Sequence, residues 1–216
     1  LQAKSDAICF VAKSWDYHVR VALGCSNEEN VDCIRESVTA AIAAGKEAMI
    51  DCEHFFDGYK ANPDYALACA RAAYEAGARW VVLCDTNGGT QPAEIREIVG
   101  AVIAAGVPGD HLGIHAHNDT GQAIANSLAA VEAGVRQIQG TLNGIGERCG
   151  NANLVTIIPT LCLKDTYASR FTTAIDTEKL VELTRLSHAF DELLNRSPDH
   201  QAPYVGASAF ATKAGI

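Results

Sequence analysis

Apolar residues recur along this chain in a fixed order. An Ala-Gly pair followed within a few residues by a short apolar run appears at Gly45, Gly77, Gly106 and Gly134, which lie 32, 29 and 28 residues apart. An interval of about thirty residues is the length of one strand-plus-helix unit, and each glycine stands where a helix would end in a left-handed cap. The runs at 7–12, 48–52, 80–84, 112–117 and 137–141, most of them rich in β-branched residues, read as strands buried on both faces. Between them Ala, Val, Leu and Ile return at three- and four-residue spacing over 28–44, 63–76, 92–105 and 120–133, which predicts helices. Their starts carry cap signals: Ser26 before Glu28 and Glu29, and Pro63 and Pro92 in first turns.

Five parallel βα units fit an open doubly wound sheet or part of a closed barrel. The open sheet usually carries a glycine-rich phosphate loop after its first strand. Here that strand is followed by Lys13, Ser14, Trp15, Asp16, Tyr17 and His18, a bulky polar segment suited to lining a barrel opening. The fold expected is therefore α/β, a partial TIM (β/α)8 barrel consisting of its last five βα units, followed by the start of a small helical subdomain. On this reading the chain is a fragment whose missing strands precede Leu1. A helix should run from about Asn153 to Leu163, a looser stretch follows to Ile175, and an amphipathic helix occupies 177–195. The expected division places barrel residues at 1–165 and the helical subdomain at 166–216.

Composition narrows the classes of partner. A formal charge of −9 without any Lys/Arg cluster argues against a nucleic-acid surface. No apolar run approaches the about 18 residues of a membrane span, and no export signal opens the sequence, so a cytoplasmic protein without a membrane partner is expected. The eight cysteines form no C-x-x-C pair and read as reduced, mostly buried thiols.

The candidate chemistry gathers at strand ends. His115 and His117 are one residue apart in an extended segment, so their imidazoles point to one side, a geometry suited to metal ligation. Hydrogen-bonded core histidines are the alternative. The following Asn118–Gly121 reads as a turn opening a helix, with Asp119 or Thr120 as cap. Asp51 and Glu53 share a strand face, where carboxylates are costly unless they meet a metal or an arginine. Asp85 and Thr86 end the third strand, and for Asp85 helix capping and catalysis stand as equal readings. The stretch 140–151 holds four glycines, Asn143, Asn151 and an adjacent Glu147-Arg148 pair, so its backbone can approach a ligand closely.

These residues carry a family resemblance. His115-Ala-His117-Asn-Asp119 with Asn143-Gly-Ile-Gly-Glu147-Arg148-Cys-Gly-Asn151 resembles the second signature of the isopropylmalate, homocitrate and citramalate synthases, members of the metallolyase barrels. Cys52-Glu53-His54-Phe55-Phe56-Asp57-Gly58-Tyr59-Lys60 is most similar to the citramalate synthase branch, and Asp85-Thr86-Asn87-Gly88 resembles the family's Asp-Thr-x-Gly strand end. The segment from Tyr204 to Ile216 resembles the stretch before a family histidine, and the family's first-strand Arg-Asp signature is absent.

The resemblance implies a divalent metal, Zn, Mn or Mg, held by His115 and His117 with Asn151 in or beside its coordination sphere. It implies substrate contacts from Thr86, Glu53 and Asp85, with Glu53, Thr86 and Glu147 in the catalytic set. The implied reaction is a Claisen-type condensation of acetyl-CoA with a 2-oxo acid, pyruvate by closest resemblance, giving citramalate and CoA in branched-chain amino-acid biosynthesis. A homodimer is implied for the full-length protein. The alternatives are an isopropylmalate or homocitrate synthase, a hydroxyacyl-CoA lyase of the same superfamily, and a non-catalytic binding or assembly fragment. As a fragment, Leu1–Ile216 is expected to be inert by itself.

Overall fold

The computed structural model describes residues 4–212, so the end of the family-like segment at 214–216 lies outside the described residues. The chain divides into two compact units, Leu1–Gln139 and Gly140–Ile216. That division falls ahead of the one expected at 165/166.

Among the described residues the first unit holds five strands, β1 (Ala7–Lys13), β2 (Glu47–Glu53), β3 (Trp80–Asp85), β4 (Leu112–Ala116) and β5 (Gln137–Gln139). All neighbours pair in parallel, in the order β1-β2-β3-β4-β5. Consecutive order without a return to the middle is the barrel pattern, and it excludes the doubly wound alternative. The expected strands match these closely, except that β4 ends before His117 and β5 before Gly140. Thr141 instead bridges Asn153 within the second unit.

Helices α1 (Asn27–Ala43), α2 (Phe55–Ala61), α3 (Pro63–Glu75), α4 (Pro92–Ala104) and α5 (Ala123–Ala133) connect the strands. The caps explain their starts. Ser26 Oγ accepts from Glu29 N at 3.1 Å while Glu29 Oε2 accepts from Ser26 N at 2.7 Å, a reciprocal capping box. Gly45, Gly77, Gly106 and Gly134 close four helices with φ between 73° and 128°, a region costly for any side chain with a Cβ. Ile50, Leu83, Ile114 and Val81 of the strands are buried with Ile34, Ile95, Val99 and Val102 of the helices.

Several local readings needed correction. Helix α2 has no signal in the sequence, because its polar and aromatic residues 55–61 lack a long apolar period. Residues Val19–Leu23 form a π-helical turn. The helix expected from 120 begins at Ala123, and its first amide is capped by Asn118 Oδ1 at 3.2 Å rather than by Asp119 or Thr120. Thr120 Oγ1 instead donates to Gly88 O at 2.7 Å. Of the cysteines, Cys52, Cys69 and Cys84 are buried while Cys9, Cys33 and Cys149 are exposed, so burial holds for fewer than expected.

The second unit contains α6 (Leu154–Leu163) and α7 (Leu183–Leu193). Asn153 Oδ1 caps α6 at Val155 N, 2.9 Å. The amphipathic helix expected over 177–195 is broken into a turn at Thr177–Leu180 and α7. Among the described residues no helix is long and apolar enough to cross a membrane.

Helix α2 packs unusually close to the loop after β1. A Cβ at Gly58 would stand 2.5 Å from Ser14 O and 3.0 Å from Trp15 Cα, both backbone atoms. Gly58→Ala is therefore expected to destabilise the protein by about 1–3 kcal/mol, the scale of overpacking. Urea denaturation measures this, and an unchanged midpoint would mean that the loop yields without cost.

Candidate metal and substrate site

Parallel strands in chain order bring Lys13, Glu53, Thr86, His115 and His117 to the same edge of the first unit's sheet. His115 is on β4 and His117 follows its last residue. Their rings meet edge to face with centroids 5.1 Å apart. His117 Nδ1 lies 2.6 Å from Thr86 O, and His115 Nδ1 lies 2.7 Å from Gln139 Oε1. A carbonyl oxygen only accepts, so each Nδ1 carries a proton, and in the neutral ring Nε2 then holds the lone pair. Metal-binding histidines commonly show this arrangement, in which one ring nitrogen donates to an oxygen and the other is the ligand.

The two imidazoles thus fit a divalent first-row metal by donor chemistry. Among the described residues, however, no group of three His, Cys, Asp or Glu side chains converges to hold an ion. The pair supplies two of the donors that such an ion would need. Asn151 belongs to the second unit, where its Nδ2 donates to Ile145 O at 3.0 Å.

Thr86 ties three strands together at this edge. Its carbonyl receives His117, and its hydroxyl accepts from His54 N at 2.8 Å. His54 adopts a left-handed conformation, φ 55°, as the chain turns from β2 into α2. Non-glycine residues in this region store strain, which the surrounding contacts must hold. Its ring packs edge-on against His18 with centroids 4.4 Å apart, beside Trp15 at 5.9 Å. His54 Nδ1 faces Asp57 Oδ2 at 3.4 Å, and Asn87 Nδ2 donates to the same oxygen at 2.8 Å. His18 Nδ1 is buried with no hydrogen-bond partner. Burial, then the neighbouring His54 and Lys13, holds the His18 imidazole below its ordinary value.

The Glu53 and Asp51 carboxylates both have partners within the first unit. Glu53 pairs with Lys13 across β1 and β2. Ser14 Oγ donates to Glu53 O at 2.8 Å, and Asn30 Nδ2 donates to Lys13 O at 2.8 Å, so the ends of both strands are pinned. Asp51 Oδ1 accepts from Gln139 Nε2 at 2.9 Å and from Cys9 Sγ at 3.3 Å. Although Cys9 as a residue is exposed, desolvation of its sulfur against the sheet, then the Asp51 charge, pushes the thiol up to about 12.

Asp85 and Glu147 have partners of their own. Asp85, expected among the substrate contacts, is 1% exposed, and its carboxylate is held by its own loop and by α5. Asp85 Oδ1 accepts from Thr90 Oγ1 at 2.8 Å, and Oδ2 from Asn126 Nδ2 at 3.4 Å. These bonds order the loop from β3 to α4 and tie it to α5. Glu147, in the second unit, is exposed and pairs with Arg148 at 2.7 Å. Gln139 was missed altogether. Its signal lay in the polar alternation of Gln137 and Gln139 on a strand that should otherwise be apolar.

This arrangement defines a parallel βα-barrel protein with a two-histidine centre at the carboxyl ends of its strands. Residues 1–186 match the model of the HMGL-like family, and the chain belongs to that family. The (R)-citramalate synthase of Synechocystis sp. is 50% identical across 100% of this chain and 40% of its own length. A probable 2-isopropylmalate synthase of Methanopyrus kandleri is 39% identical over 96% of this chain and 39% of its own length. The chain thus spans about two-fifths of the length of these relatives. A crystal structure of an HMG-CoA lyase from Bacillus subtilis superposes with a TM-score of 0.74 at 20% identity, over 89% of this chain and 65% of that one. This likeness shows the fold, a portion of a TIM barrel. HMGL-like synthases are generally dependent on a divalent metal.

The placement of Asp85 has a pH signature. Burial raises its carboxyl above the ordinary value, against the lowering effect of the Thr90 hydrogen bonds. A raised folded-state pKa favours the protonated form in the native protein. The associated stability is therefore fully present below the unfolded value of about 3.9 and lost as pH rises through the folded value. Relative to Asp85→Asn, wild type should gain stability as pH falls through that window. Denaturant titrations of both proteins across pH test this, and parallel curves would refute it.

Proposed function

We propose that the full-length protein condenses acetyl-CoA with pyruvate to give citramalate and CoA, as a metal-dependent acyltransferase. The observation that carries this reading is the 50% identity to (R)-citramalate synthase across the whole of this chain. The histidine pair supports it, because the two rings meet edge to face at 5.1 Å and each Nδ1 has an oxygen partner, as in metal-binding histidines. The metal, when bound, polarises the ketone of the 2-oxo acid. Two imidazoles suit zinc or manganese, and an oxygen-rich remainder would admit magnesium; Asn151 enters the ligand set by family resemblance alone.

The chain's own groups supply positioning and proton handling. Thr86 Oγ accepts from His54 N–H and directs its hydroxyl proton at the substrate carboxylate. Glu53, set by Lys13, orients substrate or shares in the proton traffic by which a methyl proton leaves acetyl-CoA. The resulting carbon nucleophile attacks the ketone carbon, and hydrolysis of the thioester releases CoA. Glu147 enters the catalytic set by family resemblance alone. The cellular setting is the cytoplasm and the assembly a homodimer.

CoA release by the full-length protein, measured with pyruvate, 2-oxoisovalerate and 2-oxoglutarate, tests the substrate assignment. Pyruvate should give the highest kcat/KM. Preference for either larger acid would make the protein an isopropylmalate or homocitrate synthase instead. In the same assay, Glu53→Gln keeps the shape and removes the charge. Its kcat should fall about a hundredfold, the scale for losing a positioned acid or base, with metal content unchanged. Near-normal turnover with lowered thermal stability would make the Lys13–Glu53 pair purely structural.

A further inference from the structure

The inner face of the first unit's sheet carries a polar chain that the proposed reaction does not use. Asp51 stands in a row with Val82, Gly113 and Gln137, and His115 stands beside Gln139 in the row nearer the carboxyl edge. The Gln139 side chain reaches from β5 to Asp51 on β2, past two intervening strands. Gly113 keeps that row uncrowded: a Cβ there would stand 2.9 Å from Val82 Cγ2 and collide with the Gln137 carboxamide.

The chain of bonds has only one polarity. Asp51 Oδ1 takes the Gln139 amide hydrogen at 2.9 Å, because turning the carboxamide over would set two lone-pair oxygens against each other. Gln139 Oε1 must then face His115 Nδ1, 2.7 Å away, and an amide oxygen can only accept. We propose that Asp51 and Gln139 are positioning residues that lock His115 with its proton on Nδ1 and its lone pair on Nε2, the nitrogen offered to a divalent cation. The carboxylate acts through the carboxamide and touches neither cation nor substrate. This inference rests on the metal reading of the histidine pair.

His117 is the internal reference, since its Nδ1 donates to the main-chain oxygen of Thr86 and owes nothing to Asp51 or Gln139. The test uses the full-length protein labelled with 15N in its histidine rings, read by NMR without metal, together with the Kd for Mn2+ measured by competition with a chelator. Wild type should show both histidines protonated on Nδ1. Gln139→Leu should shift the His115 proton toward Nε2, leave His117 unmoved, and weaken Mn2+ binding about 10- to 100-fold, the usual cost of losing an outer-sphere partner. Asp51→Asn should give a mixed His115 signal, because the new carboxamide no longer dictates the orientation of Gln139. Combining Asp51→Asn with Gln139→Glu reverses the relay: the new carboxylate accepts from His115, the new amide donates to it, and tautomer and affinity should both return.

A His115 protonated on Nε2 in wild type overturns the lock. So does an unmoved His115 signal in Asp51→Asn, a volume-preserving variant that keeps the test open should Gln139→Leu not fold. Failure of the double variant to restore the tautomer also overturns it. If wild type and Gln139→Leu bind Mn2+ equally and the tautomer does not change, the lock falls and the metal reading stands. If wild type binds no Mn2+ but the tautomers shift as described, the metal reading falls and the lock stands.

Discussion

Because β1 to β5 pair in parallel and in chain order, each strand delivers its carboxyl end to the same edge, and the register fixes which side chains share a row there. That constraint precedes any chemistry. It places Lys13 against Glu53, and Cys84 and Gln139 on either side of His115. A slip of one residue would turn the alternate set of side chains inward and send both histidines toward the helices. The register is held by buried apolar residues such as Ile50, Leu83 and Ile114, so the polar edge depends on packing that itself carries no function.

Within this frame the sheet must accommodate several acids, and it does so in three ways. Glu53 is paired with a cation, Lys13, near solvent. Asp51 receives an amide hydrogen and a thiol. Asp85 is buried most deeply and relies on a hydroxyl and an amide, with burial still raising its carboxyl. The order follows solvation. The group nearest water has an ion-pair partner whose charge is tolerated there, whereas deeper in the fold neutral donors avoid taking a second ion out of water.

Much of this was legible beforehand because it is periodic or local. The glycine-capped repeat gave all five strands and four connecting helices, and the i, i+2 spacing of the histidines gave their common side. What escaped depends on tertiary contact. Nothing in residues 55–61 marks a helix, since its buried face, Phe55, Phe56 and Gly58, is defined by what it packs against. Asp85 ends a strand in the way a catalytic acid would, and its bonds to Thr90 and Asn126 exist only once the strand end meets its loop and α5. Gln139 is far from Asp51 in the chain, and their bond exists only once β5 and β2 belong to one sheet. The break in the helix expected over 177–195 has no comparable explanation.

The two histidines are set by different means, and the difference bears on how the centre tolerates change. His117 is oriented by a main-chain carbonyl, which any residue at position 86 would supply. His115 is oriented by a side chain that is itself oriented by another side chain. Substitution can therefore reach one imidazole without reaching the other, although they lie one residue apart. Since a cation bound through both rings needs both lone pairs aimed together, the centre is as secure as its less protected half. That half is tied to Asp51, on a strand two removed from β4, so the rigidity of the whole inner face becomes part of the site's chemistry.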